Sequence, residues 1–508
     1  RNLKSDRFEK ARRSRTNELD LLWLKLDSMA SRRTIVAAIL SVALEVRSAH
    51  AFAPNTFQPL LRSSTATKTC NLAAKFPAAS LRPTQLRQAR SAIPLRMMST
   101  VTENPLLALD TFPQFNSIKA EQVVPGFTKI IQDCDDKLAA LEADLEKKDY
   151  VVEINSFLST LEALSDDFGR SWGAVNHLKS VKDTEELRNA VQETQPSVVT
   201  FSTKMSQSEA IYKAFKKVKE GKDFASLTLA QKRIVESNLL EAELSGIALE
   251  GAKKDRFNEI QQELAKLSTE FSNNMMDCTK AYSLKLTKKE EVAGLPESAL
   301  GLAAQTAVSK GDNDATAENG PWVFTLDMPS YLPVQQHAKD RSLREKMYEA
   351  RCTLASEKSE GKDNTPIINK ILALRKEKAE LLGKKNFAEV STSTKMATFE
   401  AAMALMEKLR SASYDPAQKE LEELQKFAAE QGFQGELKPW DTSFYAERLR
   451  EALYSYTDEE IRPYFSLPKV LDGLFQLANR LFDVEVVKAD ITPPLWDSEV
   501  QFWQINRD

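Results

Sequence analysis

The amino-acid sequence predicts a mainly α protein with a few short strands. Apolar residues recur at spacings of three and four over most of the chain after Asn104, which is the period of an amphipathic helix. Only short stretches carry the alternation, or the β-branched and aromatic residues, of strands. The 42% hydrophobic and 28% charged content is typical of a globular protein, and 508 residues are enough for two or three domains.

The N-terminal part of the chain is predicted to be targeting sequence. Residues 1–28 carry mixed charge and are interpreted as an upstream extension. Residues 29–51 have the layout of a signal peptide, with basic "MASRR", apolar "TIVAAILSVAL" and small-residue "AHA". The apolar run is shorter than the roughly 20 residues of a membrane-spanning helix, so we expect no stable membrane anchor in the mature form.

Residues 52–98 have the composition of a transit peptide, because they include seven Lys or Arg residues and no Asp or Glu. A signal peptide followed by "FAP" and this segment resembles the two-part plastid presequence of algae with secondary plastids. The resemblance implies import into a plastid. The alternative is a low-complexity arm without a specific address.

Helical periodicity then predicts an N-terminal helical domain over residues 99–310. The segments that show it are 120–148, 154–178, 184–218 and 255–284. A boundary is predicted at 309–320, where Gly, Asn, Asp and Ala replace the apolar period.

A second region is predicted over residues 321–508. Residues 322–333 are expected to form a strand that runs into a turn, because Pro329 and Pro333 interrupt them. Helices are predicted again over 342–358, 367–387 and 398–431, and Gly383 is a plausible helix C-cap. Residues 499–505 alternate polar and apolar side chains, which predicts a strand without a partner after it.

Chemistry-bearing residues are sparse and do not form a recognisable site. The four cysteines lie far apart and form no Cys-x-x-Cys pair, so they indicate neither a disulfide framework nor a zinc knuckle, and no His-Glu-x-x-His occurs. His50, His177 and His337 are each more consistent with a signal-region or structural histidine than with a metal ligand. We interpret the acidic clusters as solvated helix faces or helix N-termini; they are Asp135 with Asp136, Asp458 with Glu459 and Glu460, and the segment 236–246.

No catalytic, cofactor-binding or metal-binding residue is therefore assigned from the sequence. The formal net charge of −3 is close to neutral for this length and does not indicate nucleic acid as a partner.

Several ordered stretches together are more specific than any single motif. The chain from Asn104 to its last residue resembles the oligopeptidase A branch of the thimet oligopeptidase family of zinc metallopeptidases. The stretches that carry the resemblance are "NPLLALDTFPQFNSIKAEQVVPGF", "ELSGIAL", "FSNNMMD", "LPESAL", "TLDMPSYLPV", "LREKMYEA", "ILALRKEKAELLGKKNFAE", "TKMA", "LKPWDTSFYAERLRE" and "IRPYF".

The resemblance implies a multi-helix, two-lobed metallopeptidase scaffold around a deep channel that admits short unfolded peptides. It also implies a zinc ion held by two histidines of a His-Glu-x-x-His helix and a later glutamate, with the motif glutamate activating the bound water. No position of this sequence matches those residues. We therefore expect the catalytic zinc part to be missing from 321–508, and we expect that this chain binds no zinc.

Two functions remain open at this stage. The first is a plastid zinc metallo-oligopeptidase that hydrolyses short peptides, with this chain lacking the catalytic residues and inactive alone. The alternative is a non-catalytic helical protein that binds peptides or other partners. An exposed apolar surface on the helical scaffold would favour the first, because soluble proteins rarely leave such surface uncovered.

Overall fold

The computed structural model describes residues 104–108, 112–148, 150–491 and 493–507. The extension, signal-peptide and transit-peptide predictions over 1–98 lie outside these residues. The described chain divides into two units. The larger contains the described residues between 104 and 455 together with 493–500, and the smaller contains 456–491 and 501–507. The prediction of domains at 99–310 and 321–508 stays a prediction.

The described residues are mostly helical, as the sequence predicts. The α-helices of the larger unit are α1 (Val123–Leu145), α2 (Ile154–Val181), α3 (Glu185–Ser206), α4 (Glu209–Glu220), α5 (Leu229–Leu244), α6 (Gly251–Ala281), α7 (Glu297–Ser309), α8 (Met328–His337), α9 (Arg341–Cys352), α10 (Thr365–Leu381), α11 (Phe387–Thr392), α12 (Phe399–Glu430) and α13 (Pro439–Tyr454). Its strands are β1 (Leu284–Leu286) and β2 (Trp322–Phe324). The smaller unit contains α14 (Asp458–Ile461), α15 (Leu467–Phe482), β3 (Glu485–Lys488) and β4 (Trp503–Asn506).

The first hydrophobic core is built by α1 to α5. The apolar residues of α1 that set its predicted period are buried there, namely Phe127, Ile130, Cys134, Leu138 and Leu141. Burying each large apolar side chain contributes about 1.5–3 kcal/mol, so this face decides where the helix packs.

The segment 184–218, predicted to be helical, contains two separate helices, namely α3 and most of α4. The hydroxyl of Thr184 accepts a hydrogen bond from the Leu187 amide at 3.2 Å and begins α3. The hydroxyl of Ser208 accepts one from the Ile211 amide at 3.4 Å and begins α4. Ser and Thr are favoured at this position because they satisfy an amide that has no partner inside the helix.

The second core surrounds the antiparallel pair of β1 and β2, in which Lys285 lies opposite Val323. The prediction of a strand running into a turn over 322–333 is correct only for its start, since α8 begins at Met328. Pro329 lies in the first turn of α8, where its missing N–H has no intrahelical partner in any case. Pro333 lies inside α8, and burial of Tyr331 and Val334 in the second core offsets the lost hydrogen bond.

A third core joins α6 to α10, and α10 ends at a glycine as predicted. The Gly383 amide donates to the carbonyl oxygen of Glu380 at 3.0 Å, and the Lys384 amide donates to that of Ala379 at 2.8 Å. Gly383 has a φ of 68°, a left-handed conformation that costs glycine little. The Gly383 C-cap prediction is confirmed.

In the smaller unit, β4 pairs antiparallel with β3, and Val486 lies opposite Ile505. The strand predicted near the end of the sequence therefore exists, but its partner precedes it. The sequence prediction missed this pairing because Glu485–Lys488 is too short to show a clear alternation.

Candidate functional site

Of the three histidines, His50 lies outside the described residues, and His177 has a structural environment. His177 lies on α2 with its ring centroid 4.2 Å from that of Trp496 and 5.2 Å from that of Phe115. Its Nε2 is buried and has no hydrogen-bond partner in the described structure, and burial lowers its pKa. A neutral ring packed between aromatic side chains agrees with the structural interpretation of this residue.

The acidic clusters lie on helix surfaces or at a helix N-terminus, except that Glu241 within the segment 236–246 is half-buried. On α1, Asp135 pairs with the Lys204 ammonium at 2.5 Å, and Asp136 accepts a hydrogen bond from Gln132 at 3.0 Å. Asp458, Glu459 and Glu460 form the first turn of α14. Most of the segment 236–246 belongs to α5. None of these groups is among the metal-ligand clusters found in the described part of the chain.

His337 is different, because the fold brings it next to two carboxylates. It is the last residue of α8, and the side chains of Glu447 and Glu451 project from successive turns of α13. One ligand atom of each of the three side chains lies within 4.8 Å of the others. Glu447 is buried, whereas His337 and Glu451 are half-buried.

Two arginines already occupy this cluster. Arg448 Nη2 lies 2.9 Å from His337 Nδ1, and Arg448 Nε pairs with Glu451 at 3.0 Å. Arg450 Nε donates to Glu447 at 3.1 Å. Because a guanidinium is always protonated, His337 Nδ1 accepts this hydrogen bond and the imidazole proton is on Nε2.

The cluster does not fit the zinc site that the resemblance implies. It contains one histidine instead of two, and a divalent ion would stand beside two guanidinium groups that it would have to displace from the carboxylates. The arrangement is that of a satisfied ion-pair network between α8 and α13. We derive no catalytic step from it.

Next to this network, Asp441 forms a buried clamp between α9 and α13. Its carboxylate is fully buried and accepts hydrogen bonds from Arg341 Nη2 and Arg344 Nη2, both at 2.9 Å, and from the Lys438 amide at 3.1 Å. Arg344 also donates to the carbonyl oxygens of Trp440 at 3.0 Å and Ala338 at 2.7 Å.

Electrostatics keep the clamp charged. Burial alone would raise the pKa of Asp441, but hydrogen bonds from Arg341, the Lys438 amide and Arg344 outweigh burial and hold this pKa below its ordinary value. The Arg344 guanidinium also lies 4.2 Å above the ring of Phe444. The "LKPWD" stretch therefore positions the start of α13.

Neither network is predicted from the sequence, because the apolar period indicates no helix over 439–454. The start signal was present, since Pro439 occupies the first helical position and Asp441 the third, where its side chain reaches back to the cap amide. Recognising that helix would have placed Glu447 and Glu451 on one face, four residues apart. The approach of His337 comes from the packing of α8 on α13 and has no local signal.

Among the helices that the structure describes, none is both long enough and apolar enough to cross a bilayer.

Comparison with protein families identifies two regions of the chain. Residues 127–254 match the model of the neurolysin/thimet oligopeptidase N-terminal domain. Residues 334–508, which contain His337 and the Asp441 clamp, match the model of peptidase family M3.

Curated relatives agree with these matches. A probable cytosolic oligopeptidase A of Arabidopsis thaliana is 52% identical over 408 residues, which is 80% of this chain and 57% of the relative. An organellar oligopeptidase A of the same plant, described as chloroplastic/mitochondrial, is 50% identical over 80% of this chain and 51% of the relative. Oligopeptidase A of Escherichia coli strain K12 is 37% identical over 79% of this chain and 58% of the relative. The chain thus spans little more than half the length of these relatives.

Proposed function

We infer the function from the premise that this chain belongs to peptidase family M3, a family of zinc metallopeptidases. We propose that it forms the helical scaffold of an oligopeptidase that hydrolyses short unfolded peptides. We further propose that the catalytic zinc is held by residues other than those of this sequence, since none of its positions forms a His-Glu-x-x-His.

The observation that carries this proposal is the exposed surface of α12. This helix has 32 residues, and all the side chains from Met403 to Glu423 are exposed. Its exposed large apolar residues are Met403, Leu405, Met406, Leu409, Tyr414 and Leu421, and Leu405 and Leu409 are 58% and 59% exposed. Helical spacing places Leu405 and Leu409 on one side of α12 and Met403, Tyr414 and Leu421 on another. Exposed apolar side chains on this scale indicate a surface that another polypeptide covers.

The curated relatives supply a specific candidate for the polypeptide that covers α12. They are longer than this chain, which spans 57% of the Arabidopsis cytosolic relative. We propose that the remaining part of such a relative, or its counterpart, packs on α12 and brings the zinc ligands with it. When bound by that part, the zinc would supply Lewis-acid chemistry for peptide hydrolysis, and the helices of this chain would form part of the surface around the peptide.

The alternative function, a non-catalytic helical protein that binds peptides, uses the same surface differently. In that case α12 itself would hold the peptide, and no peptidase activity would appear with any added segment. The proposal therefore predicts peptidase activity when this chain is mixed with the missing part, and the alternative predicts none.

A complementation assay tests the proposal. The 508-residue chain, assayed with a quenched short peptide and zinc, is expected to be inactive alone. Mixed with the part of the Arabidopsis cytosolic relative that it does not match, it is expected to cleave the peptide, and a chelator should abolish the cleavage. Leu405→Asp with Leu409→Asp should prevent complementation, because two charges would be buried in an apolar contact.

Leu229→Asp is the control, because Leu229 is 76% exposed at the start of α5, a different helix from α12. It should complement like the unmodified chain. Zinc-dependent cleavage by the chain alone, or normal complementation by the α12 double variant, would contradict the proposal.

We also propose that residues 29–98 direct import into an organelle, and specifically into a plastid. The support is the presequence layout together with the similarity to a relative described as chloroplastic/mitochondrial. A fluorescent fusion beginning at Met29 should accumulate in plastids of an alga with secondary plastids. Fluorescence that stays in the cytosol would reject organellar import, and mitochondrial fluorescence would reject the plastid address.

A further inference from the structure

Arg375 is a partly buried guanidinium without a counter-charge. It lies on α10, and its Nε is buried without a hydrogen-bond partner in the described structure. Its observed contact is with an aromatic side chain, since the guanidinium carbon lies 4.8 Å from the ring centroid of Phe387 on α11. Its Nη groups are not buried and make no hydrogen bond within the described residues, so they are available to an acceptor that enters from solvent.

A second cation lies close by and makes the local charge more positive. Lys378, one turn further along α10, donates to Gln261 Oε1 at 2.6 Å and lies 5.2 Å from the ring centroid of Phe257. Burial, and then the charge of Arg375, lower its pKa to about 8. No carboxylate contributes to the pKa shift of either Arg375 or Lys378.

The acidic residues nearest in sequence have other partners. Glu377 pairs with Arg256 Nε at 2.7 Å, and Glu380 lies 3.8 Å from Lys376. Glu389 accepts a hydrogen bond from the Lys385 amide at 3.1 Å. The positive charge at Arg375 is therefore not balanced by a neighbouring side chain of this surface.

A cavity of about 190 Å³ lies beside this group, lined by Leu372, Arg375, Lys376, Asn386 and Phe387. Asn386 Oδ1 caps α11 by accepting from the Glu389 amide at 3.1 Å. Its amide nitrogen makes no hydrogen bond within the described residues, so it can donate to a ligand. The volume suits a group of a few heavy atoms, since a water molecule takes up about 30 Å³ in the liquid.

We propose that the cavity beside Arg375 is a binding site for a small oxyanion, with Arg375 as the main donor and Lys376 and Asn386 as supporting donors. Arginine matches carboxylate and phosphate geometry because its planar N–H groups can donate in parallel to two oxygens. The oxyanion comes either from free phosphate or from the carboxylate of a short peptide. The site does not depend on the proposed peptidase function.

Isothermal titration calorimetry tests the site by measuring the binding of inorganic phosphate to the full chain at pH 7 and low ionic strength. Arg375→Gln should weaken binding about ten-fold or more, because it removes the charged donor pair. Arg410→Gln is the matched control, since it removes the same charge from an exposed arginine on α12 that pairs with Glu407 at 2.7 Å. It should bind phosphate like the unmodified chain.

A short peptide with a free C-terminal carboxylate, compared with its amidated form, separates the two sources. Binding of the acid alone in an Arg375-dependent manner assigns the site to peptide carboxylates, and binding of phosphate assigns it to phosphate. Absence of Arg375-dependent binding in both arms overturns the proposal.

Asn386→Asp keeps the test valid if Arg375→Gln does not fold. Aspartate is as good a helix N-cap as asparagine, so the variant should fold, and its carboxylate would supply Arg375 with an internal oxyanion. It should lose binding while its melting temperature stays equal or rises. Unchanged binding of the oxyanion by Asn386→Asp would also contradict the site.

Discussion

Asp441 shows, at the scale of one residue, how a buried charge can hold two helices together. Its carboxylate has no solvent exposure and is bound by Arg341 and Arg344 of α9. A buried pair of this kind adds little compared with apolar packing, but removing one partner leaves the other charge uncompensated. Substituting Asp441 should therefore lower the free energy of unfolding strongly, although the intact ion pairs add little net stability.

Asp441→Asn should lower the free energy of unfolding by about 3–5 kcal/mol at pH 7, because two arginines would lose their carboxylate. The pKa of Asp441 lies below its ordinary value of 3.8 in the folded chain, so its contribution is present above that pH and is lost as the pH falls through the folded pKa. The deficit of the variant should shrink in acid. Urea denaturation at a series of pH values measures it.

Asp133→Asn provides the comparison for that measurement, because Asp133 forms an exposed ion pair with Lys129 on α1. Its loss should cost less than about 1 kcal/mol. Equal losses for the two variants would show that the clamp does not stabilise the chain.

Glu241 presents the opposite case, a half-buried carboxyl on α5 whose pKa is raised to about 7 by burial. A raised carboxyl pKa gives stability below the ordinary value of 4.5 that is lost as the pH rises through 7. Glu241→Gln should therefore raise the free energy of unfolding at pH 8 by on the order of 1–3 kcal/mol and change it little at pH 4.

The exposed Glu236 on the same helix is the control, and Glu236→Gln should have a small effect at both pH values. Thermal unfolding at pH 4 and pH 8 checks both variants. A stabilisation by Glu241→Gln of the same size at pH 4 as at pH 8 would exclude titration of Glu241 as the cause.

At the scale of elements, the sequence predicted those helices that carry a strong apolar period. α1 and α10 are of this kind, and in α10 Gly383 also marks the end of the helix. α13 was missed although it has a Pro439 start signal, because its buried residues are the charged Asp441 and Glu447. A pattern of apolar residues cannot reveal a helix that is held by buried ion pairs.

The candidate site was less predictable than the fold for the same reason. His337 was interpreted as a structural residue, and nothing near it in sequence announced Glu447 and Glu451, which come from a helix more than 100 positions later in the chain. The exposure of Arg375 to a cavity also depends on the packing of α11 on α10. Contacts of this kind follow from tertiary packing, which single-sequence patterns do not specify.

The C-terminal end of α10 allows a direct test of backbone conformation. Gly383→Ala should lower the free energy of unfolding by about 1–2 kcal/mol, because the residue has a φ of 68° and no neighbouring atom within 4 Å would clash with a methyl group. The cost would therefore come from the backbone alone.

Gly301→Ala tests whether the same substitution stabilises the chain where the backbone is helical. Gly301 lies inside α7 in ordinary helical conformation and also has open space around it. Alanine there should stabilise the chain by about 0.5–1 kcal/mol. Chemical denaturation of both variants provides the measurement, and destabilisation of equal size at the two sites would refute the conformational explanation.

At the scale of the whole molecule, burial is distributed unevenly over the described chain. α1 places seven residues in buried positions, whereas α15 of the smaller unit has none, although its apolar residues recur every three or four positions from Leu467 to Leu481. α12 is likewise exposed along most of its length. A helix that buries few or none of its residues fully opens locally at a lower free-energy cost than one that buries seven.

Hydrogen exchange followed by mass spectrometry should therefore separate these helices. Peptides from α12 and α15 should exchange faster than peptides from α1 in the chain alone, because packing protects their amide hydrogen bonds less. Addition of the unmatched part of the Arabidopsis relative should slow exchange in α12, and the double variant Leu405→Asp with Leu409→Asp should not show this protection. Equally slow exchange in α1, α12 and α15 of the isolated chain would mean that these apolar faces are covered without a partner, and the complementation proposal would lose its physical basis.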